Sequence, residues 1–242
     1  MSTYFTVDRG NTVTKLALWR GEILERMALE ENFCMPAVMS FLSGADDVAG
    51  VAYCSVATCD DVEWLRDISP LFINLDASIP LPLSIGYATP ATLGADRIAG
   101  AVGAWSLTGG GDILVVDAGT AVTYDVVSGD RYLGGNIAPG LKMRLDSLHR
   151  FTRRLPWVEV PVEINCAPIP GITTADAMTR GALFGIVAET AYYRNCLPSG
   201  AKVVMTGGDS KLLRSVMPWD DVIVDDMLVS KGLNRILSYN EK

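Results

Sequence analysis

The sequence predicts an α/β protein built twice over, each half a mixed sheet with helices packed on it. Two observations carry that prediction. The first is a pattern, Val-Asp-x-Gly-x-x-Val-Thr, that occupies residues 7–14 and again residues 116–123. In both copies a β-branched run ends in an aspartate, a glycine-bearing bend follows, and a second β-rich run leaves, which is a hairpin with a carboxylate at its tip. The second is the order β-β-β-α-β-α-β, legible in the first half and roughly repeated in the second.

Residues 4–8 and 13–19 read as the first two strands, with Val13, Lys15, Ala17 and Trp19 on one face of the second and Thr14, Leu16 and Leu18 on the other. A turn at Gly21 and Glu22 leads to a third strand over 23–29, completing a meander. A helix is expected over 36–42. The apolar run 48–57 suits a strand buried on both faces. Asp60 and Asp61 suit the start of a helix reaching about Ile68, and 72–75 is a short strand. Residues 76–93 read as an extended, proline-bearing connection. The helix that follows, to about Leu107, is rich in small residues: Ala95, Ala99, Gly100, Ala101, Gly103 and Ala104. Glycine weakens a helix, so this composition predicts a second backbone packed closely on it, across a dimer or within the chain.

Three glycines at 109–111 mark the expected boundary, giving halves 1–110 and 111–242. The second half opens with its own hairpin over 114–127 and a short third strand at Tyr132 and Leu133. Residues 134–140 read as a Gly/Pro loop into a basic helix over 142–154, and 158–164 as extended. Thr173, Thr174, Ala175 and Asp176 form a capped start to a helix running to Cys196. A strand over 202–205, a tight turn at Thr206, Gly207, Gly208 and Asp209, a helix, a strand over 222–224 and a closing helix over 227–239 complete the chain.

The chain has 242 residues, 49% hydrophobic and 20% charged, which is a globular composition. A formal charge of −8 argues against a nucleic-acid partner but not against small anions, which backbone N–H groups can hold at turns. No apolar run is long enough to span a bilayer, and no basic-then-apolar leader opens the chain, so a cytoplasmic location is expected. Five cysteines at irregular spacing and a single histidine, His149, argue against a zinc site or a His-dependent triad. The thiols are expected to be reduced and mostly buried.

A hairpin tip of the form Asp-x-Gly suits a nucleoside triphosphate. The glycine admits close approach of phosphate, the hydroxyls and N–H groups donate to it, and the aspartate holds a cation directly or through water. One such hairpin is commonplace; a pair of them, one opening each half, is not.

The two hairpins, together with Tyr87, Leu93-Gly94-Ala95-Asp96-Arg97, Gly134-Gly135-x-Ile137-x-Pro139-Gly140, Thr174-x-x-Ala177 and Thr206-Gly207-Gly208, resemble the type III pantothenate kinases. The resemblance spans nearly the whole chain. It implies duplicated actin-like ATPase (ribonuclease H-like) domains, each a mixed five-stranded sheet with helices, and ATP in the cleft between them. It implies ATP-dependent phosphorylation of pantothenate to 4'-phosphopantothenate, the first step of coenzyme A biosynthesis. By the same resemblance Asp8, Arg9, Gly10, Asn11, Thr12, Val13, Thr14 and Lys15 form the first phosphate loop, with Asp8 also a ligand of divalent metal (Mg2+). Thr120, Gly207 and Gly208 belong to the second phosphate site. Asp117 binds a monovalent cation, K+ or NH4+. Tyr87, Gly94, Ala95, Asp96, Arg97 and Thr174 line the pantothenate pocket, Asp96 accepts the proton of the attacking hydroxyl, and the protein is a homodimer. Asp96 stands near a helix N-terminus beside Arg97, a setting that makes a weak base, so orienting the hydroxyl is its expected contribution. Arg97 suits either the substrate's carboxylate or a phosphate. The alternatives are another small-molecule kinase of the same fold, separated by a substrate panel, and a catalytically silent regulatory relative, against which the intact Asp8, Asp96, Asp117 and Thr120 weigh.

Overall fold

The computed structural model describes residues 1–45, 47–56, 62–164 and 170–241. In order, the first elements are β1 (Thr3–Arg9), β2 (Thr14–Arg20), β3 (Ile23–Glu30), α1 (Met35–Leu42), β4 (Val48–Ser55), β5 (Phe72–Asn74), β6 (Ser84–Ile85) and α2 (Ala95–Thr108). There follow β7 (Ile113–Ala118), β8 (Ala121–Ser128), β9 (Arg131–Pro139), α3 (Leu141–Phe151), α4 (Thr174–Asn195), β10 (Lys202–Thr206), α5 (Ser210–Val216), β11 (Val222–Val224) and α6 (Leu228–Asn240). The chain divides into two compact units. The first comprises Met1–Gly110, Asp130–Leu133 and Met227–Lys242; the second comprises Gly111–Gly129 and Gly134–Asp226.

The first unit is built on a five-stranded sheet in the order β3-β2-β1-β4-β5. β1, β2 and β3 form the expected antiparallel meander, while β4 and β5 run parallel to β1. Alternation along β1 and β2 sends Phe5, Val7, Leu16 and Leu18 into one core with Val38, Phe41 and Leu65. On the opposite face Trp19 donates its indole N–H to the buried Thr6 hydroxyl at 2.9 Å, and α6 packs on β1 and β4. The small residues of α2 are used within the chain. A Cβ on Gly103 would lie 2.2 Å from the Leu228 carbonyl oxygen, and one on Gly232 of α6 1.8 Å from that of Ala99. The two helix backbones touch there, which only glycine at both crossing points permits.

In the second unit β7 and β8 form the predicted hairpin, β10 lies parallel to β7, and β11 parallel to β10. Leu114, Val116, Tyr124 and Met205 from the sheet meet Leu141, Leu145, Leu183, Ile186 and Leu213 from the helices. β9 follows β8 in the sheet order, and its first residues, Arg131 and Tyr132 in the first unit, pair with the two residues of β6.

Several expectations are corrected. Residues 134–140 are not a loop: β9 runs on to Pro139. The glycines there serve close strand approach, since a Cβ on Gly135 would sit 2.3 Å from the Tyr124 carbonyl oxygen. Residues 158–164, expected to be extended, join no sheet, and Val158, Val160 and Ile164 pack against the core of the second unit. The basic helix stops at Phe151, where Thr152 turns extended. The helix expected to reach Ile68 is a 3₁₀ turn over Glu63–Asp67, and Asp60 and Asp61 lie outside the described residues. Cys34, Cys54 and Cys196 are free thiols, but Cys34 and Cys196 are exposed, contrary to the expectation of burial; Cys59 and Cys166 lie outside the described residues. Among the described residues no helix is long and apolar enough to cross a membrane.

Candidate active site

The first unit gathers one set of expected site residues. Asp8 sits at the penultimate position of β1, opposite Lys15 on β2 and in register with Cys54 on β4. The Cys54 thiol donates to Asp8 Oδ1 at 3.7 Å. Burial pushes the Asp8 carboxyl above its usual range; Lys15 opposes this, the negative charge of Asp96 reinforces it, and the Cys54 hydrogen bond opposes it. Burial also raises the Cys54 thiol well above its ordinary value, with Asp8 and Asp96 adding to the effect, so it stays protonated and able to donate. Cys54 was missed in the sequence because only parallel register brings it to Asp8. The bend itself, residues 10–13, is closed by Gly10 N–H on the Val13 carbonyl at 3.1 Å and leaves Asn11 and Thr12 exposed. The Arg9 guanidinium lies over the Phe33 ring, 5.3 Å from its centroid.

Asp96 is in the first turn of α2, whose N-cap is Gly94 with no side-chain cap hydrogen bond. A Cβ on Gly94 would lie 2.5 Å from Asp96 Oδ1, so this glycine leaves the space the carboxylate uses. Arg97 is buried at 7% exposure, with its guanidinium over the Tyr87 ring at 5.7 Å, and Tyr87 packs on Tyr132 with centroids 6.2 Å apart. Asp8, Lys15, Asp96, Arg97 and Tyr87 therefore belong to one unit, and the first three share one electrostatic neighbourhood.

The second unit assembles two other motifs around Asp117 and Thr120. The β7–β8 bend is two residues long, closed by Gly119 N–H on the Ala121 carbonyl at 3.0 Å, with Thr120 exposed. Gly207 approaches from β10 at φ +92°, where a Cβ would be 2.4 Å from the Ala118 carbonyl oxygen and 2.5 Å from Asp117 Oδ1. Asp209 N–H bonds the same Ala118 carbonyl at 3.0 Å. Burial raises the Asp209 carboxyl. Gly140 approaches from the β9–α3 junction and donates its N–H to the Thr120 carbonyl at 3.1 Å. Thr206 lies in register with Asp117, and its buried hydroxyl has no hydrogen-bond partner. Gly208 is exposed, and Thr174 is exposed at the first position of α4, after the Thr173 cap that accepts from Asp176 N–H at 3.1 Å.

Two such hairpins, each on its own mixed sheet and each with its aspartate, define the actin-like fold class. Solved structures share this fold: a protein of Campylobacter jejuni assigned to the Baf family of transcriptional activators (TM-score 0.63, 24% identity, 98% of each chain) and a ROK family glucokinase of Streptomyces griseus (TM-score 0.52, 12% identity, 98% of this chain and 99% of that one). Within that class the chain belongs to the type III pantothenate kinase family, whose model matches residues 4–195. It is 38% identical to the type III pantothenate kinase of Phocaeicola vulgatus, with 98% of both chains covered. It is 36% identical to that of Azobacteroides pseudotrichonymphae, covering 99% of this chain and 98% of the relative.

Proposed function

We infer that the chain transfers the terminal phosphoryl group of ATP to pantothenate, giving 4'-phosphopantothenate, the first step of coenzyme A biosynthesis. The observation that carries the reading is the gathering of Asp8, Lys15 and Asp96 in one electrostatic neighbourhood of a family member. Phosphoryl transfer through a loose transition state asks for positioning and charge neutralisation more than for strong base catalysis. Asp96, with Gly94 leaving room beneath it, aims the substrate hydroxyl and takes its proton late. The exposed tips at Asn11, Thr12 and Thr120 offer donors to phosphate. Arg97, over Tyr87 and next to Asp96 in the chain, carries a planar fork that suits the carboxylate of pantothenate or a phosphate.

Two ions are part of the reading. Mg2+ typically takes one or two carboxylates along with water and substrate phosphates, and Asp8 fits the carboxylate part. A monovalent cation fits beside Asp117, because the partnerless buried hydroxyl of Thr206 in register with it is an oxygen that such an ion would satisfy. Such an ion supplies positive charge at the second phosphate turn. A cytoplasmic homodimer completes the reading.

A coupled assay with ATP and pantothenate, run with potassium and with sodium as the only monovalent cation, tests this. Turnover that depends on pantothenate and on potassium or ammonium is expected. No pantothenate-dependent ADP release would overturn the activity, and full rate in sodium alone would remove the role given to Asp117.

A further inference from the structure

One peptide plane in the second unit is gripped at both ends. Its carbonyl oxygen, that of Pro139, accepts from Arg144 Nε at 2.8 Å. Its N–H, that of Gly140, donates to the Thr120 carbonyl at 3.1 Å. The approach is close enough that a Cβ on Gly140 would lie 2.2 Å from the Gly119 carbonyl oxygen and 2.5 Å from that of Thr120. The plane therefore lies directly behind the hairpin tip.

Arg144 is itself anchored. Its Nη2 reaches both oxygens of Glu189 on α4, at 2.8 and 2.6 Å. Glu189 Oε2 also accepts from the hydroxyl of Tyr124, at 2.8 Å, and Tyr124 is 1% exposed on β8. Gly185 leaves room for the guanidinium: a Cβ there would be 3.1 Å from Arg144 Nη1. Burial works against the charge on Glu189, yet the hydrogen bonds from Arg144 and Tyr124 hold its carboxyl below the usual range, so Glu189 stays ionised at neutral pH.

We propose that Arg144 is a positioning residue for the Thr120 phosphate turn, acting through the Pro139–Gly140 peptide. The proposal rests on the reading of Thr120 as a phosphate contact. The guanidinium is a rigid plane, so fixing Nη2 on Glu189 fixes where Nε points, and hence the tilt of the peptide it holds. A cation on the carbonyl oxygen also polarises the amide and strengthens its N–H as a donor to Thr120. Lysine keeps the charge but has no second donor in a fixed plane. The Gly-Gly-x-Ile-x-Pro-Gly segment thereby carries the orientation of a helix-borne ion pair to the back of the nucleotide turn.

The test uses R144K, R144M, E189Q, T120V and the double variant R144M/T120V in the full chain. ATP and pantothenate are varied separately, melting is followed, and amide exchange at Gly140 is measured in the wild type and R144K. R144K and R144M should raise KM for ATP about ten-fold, with KM for pantothenate unchanged, and E189Q should follow part of the way. The double variant should be little worse than the poorer single variant, because both changes disable one turn. Exchange at Gly140 should quicken in R144K. ATP KM within about two-fold of wild type in R144K, additive effects in the double variant or unchanged Gly140 exchange would each overturn the proposal. If R144M does not fold, R144K and E189Q carry the test. T120V with normal ATP kinetics would remove the phosphate reading and this proposal together; an impaired T120V beside a normal R144K would remove this proposal alone.

Discussion

The two hairpins carry the same sequence pattern and sit in different surroundings. The first bend spans residues 10–13, and its aspartate faces a buried thiol, a lysine and the charge of Asp96. The second bend is two residues long and is pressed by glycine backbones from two sides, Gly140 and Gly207. A Cβ on Gly10 would meet only the Val13 carbonyl oxygen, at 3.1 Å, whereas one on Gly140 would meet Gly119 at 2.2 Å. The pattern thus encodes the hairpin, while the neighbours decide whether its tip is tuned by charge or held by packing.

The largest effect is expected at the charge-tuned side. Asp96→Asn should lower turnover by roughly a thousand-fold while nucleotide titration still shows ATP binding. Near wild-type turnover would leave Asp96 without its assigned role. Next comes the packed side. Gly140→Ala forces carbon into backbone and should cost about 2–3 kcal/mol in denaturant unfolding, against under about 1 kcal/mol for Gly10→Ala. Equal costs would erase the distinction between the bends. Smaller again, Thr120→Val should raise KM for ATP about ten-fold without touching pantothenate KM; unchanged kinetics would make the second bend purely structural.

The smallest effect sharpens the electrostatic half of the comparison. Burial raises Asp8 above the ordinary carboxylate value of 3.8, so the folded state binds its proton more tightly than the unfolded state. Stability at this site is therefore greatest below that value and is lost as pH rises through the folded value. Asp8→Asn removes the loss, and the variant should melt slightly higher than wild type at neutral pH while using ATP poorly. The advantage should vanish in acid. A lower melting temperature at neutral pH would mean that Lys15 and Cys54 outweigh burial.

Much of this was legible in the sequence. The β-branched runs of β7 and β8, the two faces of β2, the glycine-bearing bends and the hydroxyl-then-carboxylate start of α4 are local signals, and they placed the meander, both hairpins and the cap at Thr173. The motif order was sufficient to indicate the family. What escaped is non-local. Gly134, Gly135 and Pro139 look like loop residues because their composition does not reveal the neighbouring strand they approach. The choice left open for the small residues of α2 was settled by α6, whose Gly232 matches Gly103 at the crossing.

The sequence alone determined the repeated hairpin pattern, the turn chemistry and the family, because each is written in neighbouring residues. Only the tertiary structure decided that Cys54 meets Asp8, that α6 packs with the first unit, and that Arg144 reaches the peptide behind Thr120. Strand register and helix crossing bring together residues far apart in the chain, and no local propensity carries that information.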